Sequence, residues 1–251
     1  MEKNELHLFI CLVTAHLIGD FLLQSKYVAF KKHKLTVLLY HGFIVAILSY
    51  ILSGVWNAWF IFVFIFITHS VIDYYKTKIN KQGAAPFLLD QFIHIVMIGV
   101  LISLMNRVWG ISQGDDSIFW VDLLGISILK IMTVVSGLIC AIRVGEILIG
   151  FMTQPLEEQM IIDDWIKNRG FRYGSRLIGK LERVMILLLF LIDQPMGIGF
   201  LITAKSILRF EKISDSQNRM ESEYVIIGTL LSFVFGIVTG YVTVYVLKLL
   251  V

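Results

Sequence analysis

Histidine and aspartate side chains recur at helical spacing inside the apolar stretches of this chain. In three places a histidine and an aspartate stand four residues apart, as in THSVIDYY and LDQFIH. This spacing places both groups on one face of an α-helix, about 5–6 Å apart. Ionisable groups inside membrane spans are costly, so each is a candidate for function. With one further histidine, the set comprises His16, Asp20, His41, His69, Asp73, Asp90 and His94. We interpret it as a metal site built between helices.

The ligand types indicate which metals and which chemistry the set suits. Imidazole and carboxylate together favour a divalent transition metal, with zinc as the first choice and manganese, iron or nickel as alternatives. The set exceeds what one tetrahedral ion needs, so we expect one or two ions, a pair lying about 3.5–4 Å apart across a bridging carboxylate. Such ions activate water for hydrolysis. Asp20, Asp73 and Asp90 are the candidate catalytic residues, as bridge or base, although an aspartate can instead orient an imidazole.

The composition identifies the class of protein that must position these residues. The chain has 251 residues, of which 57% are hydrophobic and 16% are charged, with a mean hydropathy of +0.79. Soluble domains carry about 25% charged residues. Several apolar runs of about 18–22 residues are each long enough to cross a bilayer. We therefore predict an all-α, polytopic transmembrane helical bundle. The net charge of +3 is small, and no nucleic-acid partner is expected.

Hydropathy divides the chain into about seven spans. They are predicted at about 7–25, 35–54, 56–75, 86–106, 121–142, 183–205 and 223–248. Asp193-Gln194-Pro195 interrupts the sixth, because proline ends or kinks a helix. That segment is either a hairpin of two short spans or a re-entrant loop. Residues 1–106 are expected to form a four-helix metal-binding bundle, and residues 107–251 a C-terminal membrane region with a cytoplasmic amphipathic connector at about 154–175.

The predicted topology brings the seven groups to one depth. The positive-inside rule places the basic stretches Lys26–Lys34 and Lys76–Lys81 in the cytoplasm. With a rise of about 1.5 Å per residue, all seven groups then fall in one cytoplasmic layer about 10 Å thick. In each histidine–aspartate pair the aspartate lies nearer the cytoplasm. Scattered core histidines are not expected to share a depth in this way.

The motifs resemble those of a known bacterial family. HLIGDFLLQ, YHG, THSVIDYYK and FLLDQFIH are similar to the HxxxDFxxQ, H, HxxxDxxK and DQxxH motifs of an uncharacterised multi-pass membrane family with a domain of unknown function. More distantly they resemble inner-membrane proteins described as membrane-bound metal-dependent hydrolases. The resemblance implies a location in a bacterial inner membrane, and it implies the same seven residues as the metal-binding set. It also implies orienting or substrate-contacting roles for Gln24, Lys76 and Gln91.

Basic residues in the second half indicate a second polar site. Lys205 and Arg209 stand four apart and share a helix face. Together with Arg183 they are candidates for binding a phosphate-bearing lipid headgroup or small substrate. The alternative is that these side chains snorkel to a cytoplasmic interface. The GxxxG at Gly236–Gly240 indicates close helix packing, either within the chain or in a homo-oligomer.

Three classes of function are compatible with this pattern. The preferred hypothesis is a metal-dependent hydrolase of a lipid or phosphoester at the cytoplasmic membrane face. The main alternative is a transporter for a metal ion or proton, since histidine and aspartate chains also mark ion pathways. A non-catalytic scaffold or sensor with a structural metal is the second alternative. Hydrogen-bonded packing between helices and a bis-histidine haem site are further interpretations of the same residues.

Overall fold

The computed structural model describes residues 3–79, 81–109, 118–162, 169–210 and 219–251. Every secondary-structure element in these residues is helical, which confirms the predicted all-α class. The chain divides into two compact units, one formed by Met1–Ile139 with Leu249–Val251 and the other by Cys140–Lys248. Each is described by itself.

The described residues of the first unit form seven α-helices and one π-helical turn. They are α1 (Lys3–Ile18), the π-turn π1 (Gly19–Leu23), α2 (Lys26–Lys31), α3 (Leu35–Ser53), α4 (Phe60–Ile79), α5 (Ala84–Trp109), α6 (Phe119–Leu124) and α7 (Ser127–Ile139). Helix α1 packs against α3, α5 and α7, while α4 packs against both α3 and α5. Leu8, Cys11, Leu12 and Ala15 of α1 are at most 1% exposed. Helix α1 is therefore the centre of this unit.

The second unit begins at Cys140, directly after the last residue of α7. Its elements are the π-turn π2 (Cys140–Val144), α8 (Gly145–Ile162), α9 (Arg169–Leu191), α10 (Gly197–Phe210) and α11 (Arg219–Leu249). Ile186, Ile198 and Phe233 form its apolar core. A Cβ placed on Gly236 would lie 2.9 Å from Ile186 of α9. One placed on Gly240 would collide with Phe190 of the same helix. The GxxxG segment therefore packs against α9 within the chain.

In the described part of the chain, six helical segments are long and apolar enough to cross a membrane, which indicates a multi-pass membrane protein. They are Lys3–Leu23, Leu35–Ser53, Phe60–Ile79, Ala84–Arg107, Ser127–Leu156 and Tyr224–Leu249. The predicted interruption at Asp193 is present as a turn between α9 and α10, and the apolar part of α10, Gly197–Ile207, is shorter than a span. The prediction of about seven spans, with a hairpin or a re-entrant loop at Asp193, is consistent with these six segments and the turn.

The fifth span differs from its predicted limits. It begins at Ser127 rather than near Val121, because Gly125 adopts a positive φ of 66° and separates α6 from α7. At its other end the helix runs through Arg143 and Pro155 as far as Ile162. The first part of the predicted connector at 154–175 therefore continues α8. Residues 163–168 of that connector lie outside the described part of the chain.

Candidate metal centre

Four helices bring all seven predicted ligands into one buried cluster. Helix α1 and π1 supply His16 and Asp20, α3 supplies His41, α4 supplies His69 and Asp73, and α5 supplies Asp90 and His94. Each of the seven is between 1% and 9% exposed. The ring centroids of neighbouring imidazoles lie 4.4 to 5.7 Å apart. The groups that the sequence spaced along separate helices therefore meet in one place.

At the centre of the cluster, four ligand atoms approach one another closely. Nε2 of His41 lies 3.1 Å from Nε2 of His69. Oδ1 of Asp20 lies 3.1 Å and 3.3 Å from these two nitrogens, and Oδ2 of Asp73 lies 3.7 Å and 3.5 Å from them. Tetrahedral zinc with bonds of about 2.0–2.2 Å separates its ligands by about 3.3–3.6 Å. The observed distances are close to that spacing. The ligand atoms of His41, His69 and Asp73 lie within 4.8 Å of one another, so these three residues could hold one ion, with Asp20 beside the two histidines.

A second group consists of Asp73, Asp90 and His94, whose ligand atoms lie within 4.8 Å of one another. Nδ1 of His94 lies 2.8 Å from the backbone carbonyl oxygen of Asp90. A carbonyl only accepts, so Nδ1 donates and Nε2 presents a bare lone pair. Metal-binding histidines are oriented in this way, with the other ring nitrogen bonded to a carbonyl or carboxylate.

The same three residues carry buried acceptor atoms that lack partners. Oδ1 of Asp73, Oδ1 of Asp90 and Nε2 of His94 have no hydrogen-bond partner among the described residues. A buried polar atom without a partner costs about 1–3 kcal/mol, and more when it is charged. These three atoms are all acceptors, and a bound cation would interact favourably with the lone pairs of all three. The donor set therefore fits a metal ion.

A third group shares His69 with the first. It contains His16, Asp20 and His69, again with ligand atoms within 4.8 Å of one another. Nε2 of His16 lies 3.2 Å from Oε1 of Gln91. With that amide oxygen accepting, His16 donates from Nε2 and presents its lone pair on Nδ1. His69 and Asp73 each belong to two groups. A neutral imidazole has one lone pair whereas a carboxylate has two oxygens, so Asp73 is the natural residue to be shared between two ions.

Two of the three aspartates in this cluster are each paired with a lysine. Nζ of Lys32 lies 2.6 Å from Oδ2 of Asp73, and Nζ of Lys76 lies 2.5 Å from Oδ2 of Asp90. In both aspartates the lysine contacts Oδ2, and the other oxygen, Oδ1, has no hydrogen-bond partner among the described residues. Lys76 was implied by the family motif. Lys32 was missed, because a lysine within the basic stretch Lys26–Lys34 resembles an interfacial anchor.

The glutamines implied by the motifs contact the ligands themselves. Nε2 of Gln24 lies 3.4 Å from Nε2 of His41. Gln91 bridges two ligands, since its Oε1 contacts His16 while its Nε2 donates to Oδ2 of Asp90 at 3.0 Å. Both side chains are therefore placed to orient the imidazoles and carboxylates of the cluster.

Local backbone features allow the helices to approach at this point. Asp20 lies in the π1 turn, and π-helical turns occur frequently at functional sites. A Cβ on Gly19 would lie 2.8 Å from Cγ2 of Val45 in α3. One on Gly42 would collide with Oγ of Ser70 in α4. Each glycine adjoins a cluster residue, so these close contacts bring His41 up to both Asp20 and His69.

The basic residues predicted in the second half lie in the second unit. Arg183 is 3% exposed and donates from Nε to the carbonyl oxygen of Ala141. Lys205 pairs with Oε1 of Glu182 at 2.5 Å. Both line the same cavity. Arg209 lies in α10, but its side chain is outside the described part of the structure.

Comparison with known proteins matches part of the chain to a family of unknown function and assigns no activity. Residues 8–114 match the family described as a protein of unknown function, DUF3307. The matched segment contains all seven residues of the cluster. No curated protein and no solved structure matches the chain. The match is consistent with an uncharacterised family, and the more distant relation to hydrolases stays a prediction.

Proposed function

We propose that this chain binds one or two divalent transition-metal ions between its first four membrane helices and hydrolyses a lipid or phosphoester at the cytoplasmic face of a bacterial inner membrane. The observation that carries the proposal is that two separate properties of a metal site fall on the same three residues, Asp73, Asp90 and His94. They form a ligand group by distance, and each has a buried acceptor without a partner among the described residues.

The charge of the cluster supports a bound cation. Three aspartates face two lysines, Lys32 and Lys76, so with neutral imidazoles the sum is −3 + 2 = −1. An uncompensated buried charge is strongly destabilising. A divalent ion would offset it and would use lone pairs that hydrogen bonds within the cluster leave free. Zinc suits the imidazole and carboxylate ligands best, and manganese, iron or nickel would also fit.

The residues divide into roles by their positions. His41, His69 and Asp73 would hold one ion, with Asp20 beside the two histidines, and Asp73, Asp90 and His94 a second, so that Asp73 is the shared carboxylate. When bound, such ions supply an activated water and polarise a phosphoryl or carbonyl oxygen. Lys76 is 43% exposed in its side chain. It could therefore contact a substrate anion while it holds Asp90, whereas Gln24 and Gln91 orient the histidines.

The surroundings of the histidines support a fixed site over an ion pathway. The cavity beside His16, His69 and His94 has a volume of about 10 Å³, enough for about one water. Apart from those histidines, Ser49 and Thr68, its lining is apolar. A transporter would need a continuous polar path. Metal uptake by proteoliposomes containing the purified protein would favour the transporter instead.

Metal analysis of the purified protein tests the proposal. We expect one to two equivalents of metal in the wild type and little in His69→Ala or Asp73→Ala. His33→Ala is the matched control, because His33 is exposed and lies outside the cluster. Circular dichroism and size-exclusion chromatography verify that each variant is folded. Metal-free wild type after growth with added zinc, or unchanged metal content in His69→Ala, would refute the metal centre.

Hydrolysis is tested separately on the metal-loaded protein. Release of phosphate or fatty acid from vesicle lipids should require metal and should be abolished by Asp90→Asn. If the protein binds metal fully but turns over no lipid or phosphoester, the result would favour a non-catalytic scaffold or sensor over an enzyme.

A further inference from the structure

The second unit contains a polar cavity that the metal centre does not use. Its volume is about 150 Å³, enough for several water molecules. Helices α8, α9, α10 and α11 all contribute to its lining. Among the lining residues are three cations, Arg176, Arg183 and Lys205. Charged side chains are rarely gathered around a cavity in so apolar a chain, so the cavity is a candidate binding site.

Arg183 is the most deeply placed of these cations. It is 3% exposed, and its guanidinium is held by two partners. Nε donates to the carbonyl oxygen of Ala141 in π2, and Nη1 donates to Oγ of Ser232 in α11 at 3.0 Å. A guanidinium has five N–H donors in a fixed fork. These two bonds fix the orientation of the guanidinium, and Arg183 also lines the cavity.

Three glycines make room for this arginine. A Cβ on Gly145 of α8 would lie 2.7 Å from Nε of Arg183, and one on Gly179 of α9 would lie 3.3 Å from its Nη1. A Cβ on Gly236 of α11 would lie 3.5 Å from its Cα. A larger residue at Gly145 would displace the side chain and one at Gly179 would crowd it, whereas 3.5 Å at Gly236 is ordinary van der Waals contact. Helices α8, α9 and α11 therefore pack closely around this buried cation.

Cations outnumber carboxylates around the cavity. Lys180 and Arg143 pair with Glu146 at 2.9 and 3.5 Å, and Lys205 pairs with Glu182 at 2.5 Å. Among the described residues that line the cavity, the cations are Arg176, Arg183 and Lys205, and the anions are Glu146 and Glu182. The sum of +3 and −2 is +1. This excess favours an anionic occupant.

Glu182 adds a different recognition element. Its Oε1 is held by Lys205, while its Oε2 is buried and has no hydrogen-bond partner among the described residues. That oxygen can accept a bond from a hydroxyl or ammonium group. A ligand that suits both the cations and this oxygen is a molecule with an anionic group and, on the same molecule, an O–H or N–H donor.

We propose that this cavity binds a phosphate group, with Arg183, Arg176 and Lys205 as its cationic contacts and Glu182 accepting from a donor on the same molecule. Arginine suits phosphate because its planar fork donates two parallel bonds. The phosphate can belong to a lipid headgroup or to a soluble phosphoester. The site goes beyond the proposed metal function and does not require metal.

Binding to the full-length protein in detergent tests the proposal, with EDTA present so that phosphate cannot bind through a metal. Dihexanoyl phosphatidylglycerol and glycerol 3-phosphate are the two phosphate probes, and dihexanoylglycerol is the probe without phosphate. Isothermal titration calorimetry should show saturable binding of phosphatidylglycerol and none of dihexanoylglycerol. Equal binding of glycerol 3-phosphate would assign the site to phosphate from either source. Binding of phosphatidylglycerol alone would assign it to lipid.

Rim variants identify the contacts without disturbing the packing of Arg183. Arg176→Met and Lys205→Met should each weaken binding at least about tenfold, because each removes a charge-assisted hydrogen bond. Lys248→Met is the control, since Lys248 carries the same charge, is exposed and does not line the cavity. The proposal is overturned if neither phosphate probe binds, if dihexanoylglycerol binds as tightly as phosphatidylglycerol, or if both rim variants bind like the wild type.

Discussion

Nζ of Lys32 lies 2.6 Å from Oδ2 of Asp73, and the two side chains are only 9% and 1% exposed. The lysine follows helix α2 directly, yet it reaches inward between helices to a carboxylate that two candidate ligand groups share. A buried pair of this kind is costly to break, because the remaining charge has lost its partner. Lys32 is therefore the residue that balances Asp73 when no metal is bound.

Lys32→Met should destabilise the metal-free protein more than the metal-loaded one. Breaking a buried ion pair costs about 3–5 kcal/mol, and a divalent cation bound to Asp73 would compensate part of that loss. Thermal unfolding in EDTA and in zinc measures both states. Lys34→Met, which removes an exposed lysine two residues away, should have little effect in either. An equal loss of stability with and without zinc would argue against a cation site at Asp73.

His94→Gln should remove one ion and spare the other. His94 belongs to the group with Asp73 and Asp90 but not to the group formed by His41, His69 and Asp73. Where the wild type holds two zinc ions per chain, this variant should hold one by elemental analysis. Complete loss of zinc from a folded variant would show that the groups form a single site.

Gly42→Val should weaken metal binding although it changes no ligand. A side chain there would collide with Ser70 and push α4 away from α3, which separates His41 from His69. Displacing metal ligands through their supports typically costs about 10–100-fold in affinity. Gly99→Val is the control, because a Cβ on Gly99 of α5 meets no described atom within 4 Å. Competition titrations with a zinc chelator measure the affinities, and equal values for the two variants would contradict the expectation.

Gly145→Ala should destabilise the second unit without changing metal content. The added Cβ would lie 2.7 Å from Nε of Arg183 and 2.9 Å from the ring of Phe235. Overpacking of this kind costs about 1–3 kcal/mol. Gly150→Ala in the same helix meets no described atom within 4 Å and should be neutral or stabilising by about 0.5–1 kcal/mol, because alanine favours a helix. Thermal unfolding compares the two, and a Gly145→Ala midpoint at or above that of Gly150→Ala would contradict the close packing around Arg183.

The sequence by itself determined the helical membrane class, the turn at Asp193 and the seven residues of the cluster. Hydropathy and the four-residue spacing are local properties, and they specify which groups share a face of one helix. The spacing of His69 and Asp73 along α4 could therefore be recognised without a structure. The start of the fifth span could not, because it depends on the positive φ of Gly125.

Only the tertiary structure decided which groups meet across helices. Local periodicity contains no information on which α1, α3, α4 and α5 faces touch, or on how π1 and the contacts at Gly19 and Gly42 set their separation. For this reason Lys32 was indistinguishable from its basic neighbours until α2 was seen to direct it onto Asp73. For the same reason the sequence could not reveal that Asp73 and Asp90 each give one oxygen to a lysine and keep the other buried among the remaining ligands.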